Sequence, residues 1–359
     1  MMNKQLFIDI HAIQTVPPSC VNRDDTGSPK TAVYGGTERA RVSSQAWKRA
    51  MRIYFKDIFA PEVLGSRTKH IPEMIAAEIL KTSPEFGAEK ASKAALNALK
   101  CIGIKVDEKK NENSALFFIS DAQVKALAAL AAAGEKDKKI YNQILKDKPS
   151  YDIVLFGRMV ADDPSLNYDA AAQVAHAIST HAVHTEYDYF TALDDERADD
   201  QSGAGHLGTV EFNSATLYRY ATLNVSELAE NLGAEAAKVV RGFAEAFVRA
   251  MPTGKQNAFA NRTLPDLVYI TVRGDQPVNL SGAFERAVKR SEDGFATKSC
   301  ETLLTYAEKL YSNFADAPLL ALGCGDTTLL DGHAVTLPLK ELLARLESYV
   351  AEACGKETE

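Results

Sequence analysis

The change of pattern at Ser43-Ser44 fixes more of the fold than any other stretch. Upstream, Arg39-Ala40-Arg41-Val42 reads as extended, with Arg39 and Arg41 along one side of a strand. A serine hydroxyl then caps the first free N–H groups of a helix. Wound at about 100° per residue, that helix gathers Gln45, Lys48, Arg49, Arg52 and Lys56 into one arc of roughly 100°. Trp47, Met51, Tyr54 and Ile58 fall on the opposite side, with Phe55 at the border. Such a helix lays its apolar face on a sheet and turns a basic stripe outward.

Charge gives this stretch its chemistry. Residues 22–56 hold eight cations and three anions, a balance of +5 on a chain of net charge −7, so the remainder sums to −12. A positive island on an acidic chain suits a polyanion, because phosphate neutralisation releases counterions where charge is clustered. Gly35-Gly36 permits close approach of backbone to a ligand. N–H groups at a capped helix start also bind phosphate oxygens without reading bases. The competing reading is a solvated amphipathic face.

Composition sets outer bounds. The 359 residues allow one large domain with insertions or two domains, with a sizeable core. Five cysteines (Cys20, Cys101, Cys300, Cys324, Cys354) are scattered with no C-x-x-C pair, which points to reduced thiols in a cytoplasm and away from structural zinc. The start is too short and polar for a signal peptide, and no apolar run approaches the roughly 18 residues of a membrane span.

Along the chain, Leu6 to Thr15 reads as a buried strand with Leu6, Ile8, Ile10 and Ala12 on one face, ended by Val16-Pro17-Pro18. From about 66 to 150 alanine- and lysine-rich helix formers dominate (Ile71 to Leu80, Ala91 to Lys100, Asp121 to Ala133), an expected helical insertion. Tyr151 to Val160 patterns as a strand and Asp169 to about His184 as a helix. A strand region is expected over Thr209 to Leu223, then a helix from Ser226 to Met251. A strand at Leu267 to Arg273, a short helix at Ala283 to Lys289 and a terminal helix at Leu339 to Ala353 complete the set. The order, with insertions, fits an α+β class built on a split β-α-β, ferredoxin-like core of the kind RNA-recognition modules share.

Other constellations carry less. Gly203-Ala204-Gly205-His206-Leu207-Gly208 matches G-x-G-x-x-G, yet acidic residues from Asp194 precede it where a dinucleotide site needs an apolar strand. His176, His181 and His184 suggest a metal, but on a helix only His181 and His184 share a face, and no carboxylate has ligand spacing. No G-x-S-x-G elbow or papain-like cysteine signature supports nucleophilic hydrolysis. No metal and no cofactor is expected.

Cys20 to Asp25, Gly35-Gly36, Arg41 to Gln45 and Lys48 to Arg52 resemble the type I-E CRISPR Cascade backbone subunit, the CasC family. The likeness continues through Gly157-Arg158-Met159, Ala175 to His181, Tyr189 to Asp195, Gly205 to Thr209, Tyr218 to Ala221 and Gly254 to Asn257, in the same order. It covers about two-thirds of the chain and is weak across 60 to 150 and after about 295.

The resemblance implies a palm (1–60 and 215–359, the ferredoxin-like, RRM-like core with C-terminal helices), a helical fingers insertion (61–150), a fingers/palm junction (151–182) and a protruding β-hairpin thumb (183–214). It implies a non-catalytic subunit that lines up in copies along a CRISPR guide RNA and presents it to a target DNA strand. Other Cascade subunits and a recruited nuclease are the further implied partners. By that likeness RNA contacts fall on Asn22, Arg23, Lys30, Ser43, Gln45, Lys48, Arg49 and Arg52, with Lys255 and Gln256 added. Met159 corresponds to a wedge methionine, and Tyr189, Phe190, Thr191, Leu193 and Leu207 suit displacement of a base, since unstacking must be offset by new contacts. The rival is Asp24-Asp25, adjacent carboxylates able to hold magnesium and cleave target RNA, against a purely structural pairing of both with Arg23 or a neighbouring subunit.

Overall fold

The computed structural model describes residues 5–147, 149–160, 162–192 and 206–355, arranged as two compact units. One comprises 1–53, 174–226 and 243–359; the other comprises 54–173 and 227–242.

The first unit is built on a large mixed sheet. In spatial order it runs Val335–Thr336, Leu320–Gly325, Leu267–Arg273, β1 (Phe7–Ser19), His206–Asn224, Ala177–Ser179, β3 (Thr37–Val42) and β2 (Thr31–Tyr34). Neighbours are antiparallel except for the pair Leu320–Gly325 and Val335–Thr336. β1 is central, and it is buried on both faces. Ile8, Ile10 and Ala12 line one face as alternation requires. Asp9, His11 and Ile13 line the other, also inaccessible, flanked by Tyr218, Tyr220 and Tyr269 and covered by the helix Ala296–Asn313 through Cys300, Leu303, Leu304 and Ala307. That helix and the strand Leu320–Gly325 fall where the sequence pattern named no element.

β1 also runs further than expected, to Ser19. Pro17-Pro18 do not end it: the register steps from Val16↔Ala215 to Ser19↔Asn213, so two residues oppose one in a bulge. Bulges accept proline because the ladder is already broken there.

Four expectations about helices and strands are corrected. Tyr151–Phe156 is a helix, stopped at Gly157 with φ 74°. Its first five residues are all buried, so the apolar run carries no periodicity to separate helix from strand. The stretch from Asp169 to His184 is no helix; Ala177–Ser179 is a strand between β3 and His206–Asn224. Alanine-rich propensity yields there to the ladder bonds the sheet supplies. The helix expected over Ser226 to Met251 is two, Val225–Leu232 and Ala236–Arg249, parted at Gly233 with φ 53°. Only a 3-10 turn, Leu280–Phe284, stands near the short helix expected at Ala283 to Lys289.

In the second unit, the helices Ile71–Thr82, Ala88–Ile102, Asp121–Ala132 and Lys138–Lys146 pack around Ile75, Ile79, Leu99, Ile102, Leu127 and Leu145. The strand pair Gly65–Thr68 and Phe117–Ser120 closes this core. Arg158 is a clamp within it. Its guanidinium donates to the carbonyls of Leu145 (2.7 Å), Leu166 (3.1 Å) and Phe118 (3.3 Å) and lies over the Phe117 ring. Burial pulls its pKa down to about 10.

Candidate nucleic-acid interface

The helix anticipated after Ser43 is α1 (Ser44–Ile58). Ser43 is its cap: its Oγ accepts from Ala46 N at 3.3 Å, and its own N–H donates to Asn22 Oδ1 at 2.9 Å. Asn22 therefore ties the preceding loop to the start of the helix. The buried stripe runs Trp47, Met51 and Phe55, centred one residue away from the expected line through Tyr54, which is half-buried. Gln45 and Arg49 are exposed, and Lys48 and Arg52 are partly covered. Burial alone lowers the Lys48 pKa.

A buried cation seats the first turns of α1. The Arg219 guanidinium lies 3.7 Å from the centre of the Trp47 ring and 4.5 Å from that of Phe247. It donates to Gln14 Oε1 at 2.6 Å and to the Phe247 carbonyl. Desolvation brings its pKa to about 9. The sandwich holds the helix on the sheet while the basic side stays outward.

Two features expected to face a ligand face the chain itself. Arg39 is fully buried: it donates to the carbonyls of Ser179 and Phe284, each at 3.0 Å, and to Thr37 Oγ1 at 2.8 Å. Alternation along β3 placed Arg39 and Arg41 on one side, but only Arg41 reaches the surface. Gly35-Gly36, both at positive φ, form the two-residue turn between β2 and β3. The close approach Gly35 permits is to the Glu285 carbonyl, where a Cβ would sit 1.6 Å away.

The loop from Asn22 to Lys30 lies beside α1. Arg23 is exposed and bridges to Pro29, and the Lys30 N–H donates to the Asn22 carbonyl at 2.9 Å. Asp24 organises the turn: its Oδ1 accepts from Thr26 Oγ1 (2.7 Å), Thr26 N (2.9 Å) and Ser28 N (3.0 Å). These bonds, the Thr26 hydroxyl foremost, hold the carboxyl below its usual pKa. Gly254 abuts the same loop; a Cβ there would lie 2.1 Å from the Val21 carbonyl. Lys255 follows it, and Gln256 begins the short helix Gln256–Phe259. Lys255 and Arg23 both act electrostatically on the buried Cys20 thiol, whose pKa burial raises. An open depression lined by Val21 to Gly27 and Gly254 lies between them.

The three histidines stand in separate surroundings. His176 places Nδ1 3.2 Å from Arg41 Nη1 and 3.4 Å from Ser44 N, and its pKa is lowered by burial, then by Arg41 and Lys30. Sequence reasoning left this contact out because it expected His176 on a helix. His181 stacks on Phe295 at 3.7 Å and accepts from Thr216 N at 3.0 Å. His184 is exposed, and among the described residues no metal-ligating group forms.

Glu186–Ala192 pairs antiparallel with the start of His206–Asn224. Tyr187, Tyr189 and Thr191 share one exposed face, and Phe190 covers Gly208 from the other. Leu207 stands opposite Thr191 in register. Leu193, Gly203 and Gly205 lie outside the described residues. Met159, in the second unit, is 84% exposed, far more than a core methionine.

An α+β scaffold carrying a cationic loop-and-helix surface is the class these features define. The chain belongs to the CT1975-like family of CRISPR-associated proteins, which matches residues 8–346, and is a CRISPR protein of the Cascade type. It is similar to a chain of a solved "CRISPR RNA-guided surveillance complex, pre-nicking", at 35% identity and TM-score 0.83, covering 97% of this chain and 100% of that one. A chain of a second CRISPR RNA-guided surveillance complex is 33% identical, with TM-score 0.63 over 97% of this chain and 99% of that one. No curated protein matches the sequence. Among the described residues no helix is long and apolar enough to cross a membrane.

Proposed function

We propose that the protein is the non-catalytic, CasC-type backbone subunit of a type I-E Cascade complex in the cytoplasm. Copies polymerise along a CRISPR guide RNA and present it for pairing with target DNA, alongside other Cascade subunits and a recruited nuclease. In this reading the sheet of the first unit is the ferredoxin-like, RRM-like palm, the helices of the second are the fingers, and the pair Glu186–Ala192 with His206–Phe212 is the base of the thumb. The observation that carries the reading is the placement of Arg23 and Lys255 around Cys20 and of Lys30 and Arg41 around His176 at the start of α1, with Asn22 bonding loop to helix. Clustered cations grip a ribose-phosphate strand whatever its sequence, so guide binding is strongly salt-dependent with little base preference.

Asp24 favours the scaffold over a ribonuclease built on Asp24 and Asp25. One of its oxygens is engaged by three donors of its own turn, a structural use of the carboxylate. Replacing Lys48→Glu together with Arg52→Glu abolishes assembly on guide RNA and leaves the subunit folded. Normal packing of that variant onto guide RNA would refute the assignment of α1.

A further inference from the structure

Beneath Lys30 and Arg41 the bulge in β1 leaves a small pocket. With Pro17-Pro18 opposed by a single residue, the ladder between β1 and His206–Asn224 opens between Val16 and Ser19. The gap is lined by Ser19, Asn22, Lys30, Arg41 and Asn213, with walls that include Val16 and Leu217. Its room is about 20 Å³. That is the space of one oxygen atom with its hydrogens, far too little for a base or a whole phosphate.

The polar groups inside are specific. Asn213 is only 8% exposed, and its Nδ2 finds no acceptor among the described residues. A buried amide donor without an acceptor carries its full desolvation cost, which a ligand oxygen removes. Ser19 stands opposite Asn213 in register, and its Oγ donates to the Pro17 carbonyl at 2.8 Å. Its proton is thereby committed, and its lone pairs are left to accept. One wall donates and the other accepts. A phosphate oxygen only accepts, whereas a hydroxyl does both.

We propose that this pocket receives a ribose 2′-hydroxyl of the bound strand, Asn213 donating to its oxygen and Ser19 accepting its proton. In a nucleotide the 2′-hydroxyl neighbours the 3′-phosphate, so Lys30 and Arg41 at the rim hold the phosphate while the hydroxyl enters. The pocket makes the chain selective for RNA over DNA, since the 2′-hydroxyl is the group that distinguishes them. This rests on the RNA-binding reading above and adds a residue, Asn213, that no sequence motif marked.

The test measures dissociation constants of the full chain for an oligoribonucleotide and for the oligodeoxyribonucleotide of the same sequence. It uses wild type, Asn213→Ala, which removes the donor without filling the gap, and Ser19→Ala, which is likewise smaller and cannot clash. The ribose preference of wild type shrinks by roughly three- to tenfold in Asn213→Ala, the range for one hydrogen bond, and in the same direction in Ser19→Ala. Binding of the deoxy strand stays unchanged in both. If both variants fold and keep the full preference, the pocket holds an ordered water and the proposal is wrong, although RNA binding stands. A wild type that binds both strands equally overturns the pocket alone; one that binds neither overturns the RNA-binding reading as well.

Discussion

His11 makes the stability of this protein depend on acid in a way that can be calculated. The ring is fully buried on the central strand, with Nδ1 2.9 Å from the Tyr218 hydroxyl. Rings of Tyr220 and Tyr269 stack at 5.1 and 5.8 Å. Burial first, and the Arg273 charge second, hold its pKa at about 3 instead of 6.5. A folded pKa below the unfolded one means that the unfolded chain binds the extra proton between these values. Stability is then full above about pH 6.5 and falls as pH drops through the window, by about 1.4 kcal/mol per pH unit at the steepest. Between about pH 7 and pH 4.5 the loss is roughly 2.5 kcal/mol. His11→Phe keeps a ring in the stack and removes the proton site, and the Tyr218 hydroxyl retains its bonds with Asn279 and Leu280. Asp9, on the same face of the strand, has its pKa raised mainly by burial and acts in the opposite sense, but it is common to both proteins. Urea denaturation at a series of pH values therefore isolates His11. The wild type loses roughly 2.5 kcal/mol more than the variant over that range. Parallel curves for the two proteins would refute a buried neutral imidazole.

Two further substitutions probe how the basic surface is held. Arg219→Met removes the guanidinium between Trp47 and Phe247 and leaves the Gln14 and Phe247 oxygens short of a donor, so chemical denaturation shows a loss of about 2–4 kcal/mol. Gly35→Ala places a Cβ 1.6 Å from the Glu285 carbonyl at φ 58°; stability falls by about 2 kcal/mol or more, and a Tm equal to wild type would contradict the close contact.

How much was legible in advance follows from the range of the forces involved. The capped start of α1, its basic side and the helices around Ile75 and Leu99 depend on neighbours three and four residues apart, so periodicity discloses them. Asn22, Ser43 and the charge balance of 22–56 likewise stand in the chain itself. The failures at the site depend on partners far along it. Ala177–Ser179 is a strand because β3 and His206–Asn224 flank it, which no local alanine pattern reveals. Arg39 and Arg41 are equivalent in sequence, yet the carbonyls of Ser179 and Phe284 bury one and leave the other at the surface. His176 meets Arg41 and Ser44 across more than a hundred residues, and Asn213 lines a pocket beside the bulge where two prolines break the ladder opposite it. Local pattern decided α1, the helices around Ile75 and Leu99, and where positive charge concentrates. Tertiary structure decided which of those charges face outward and what small group fits between them, because desolvation and hydrogen-bond satisfaction are settled only when distant strands come together.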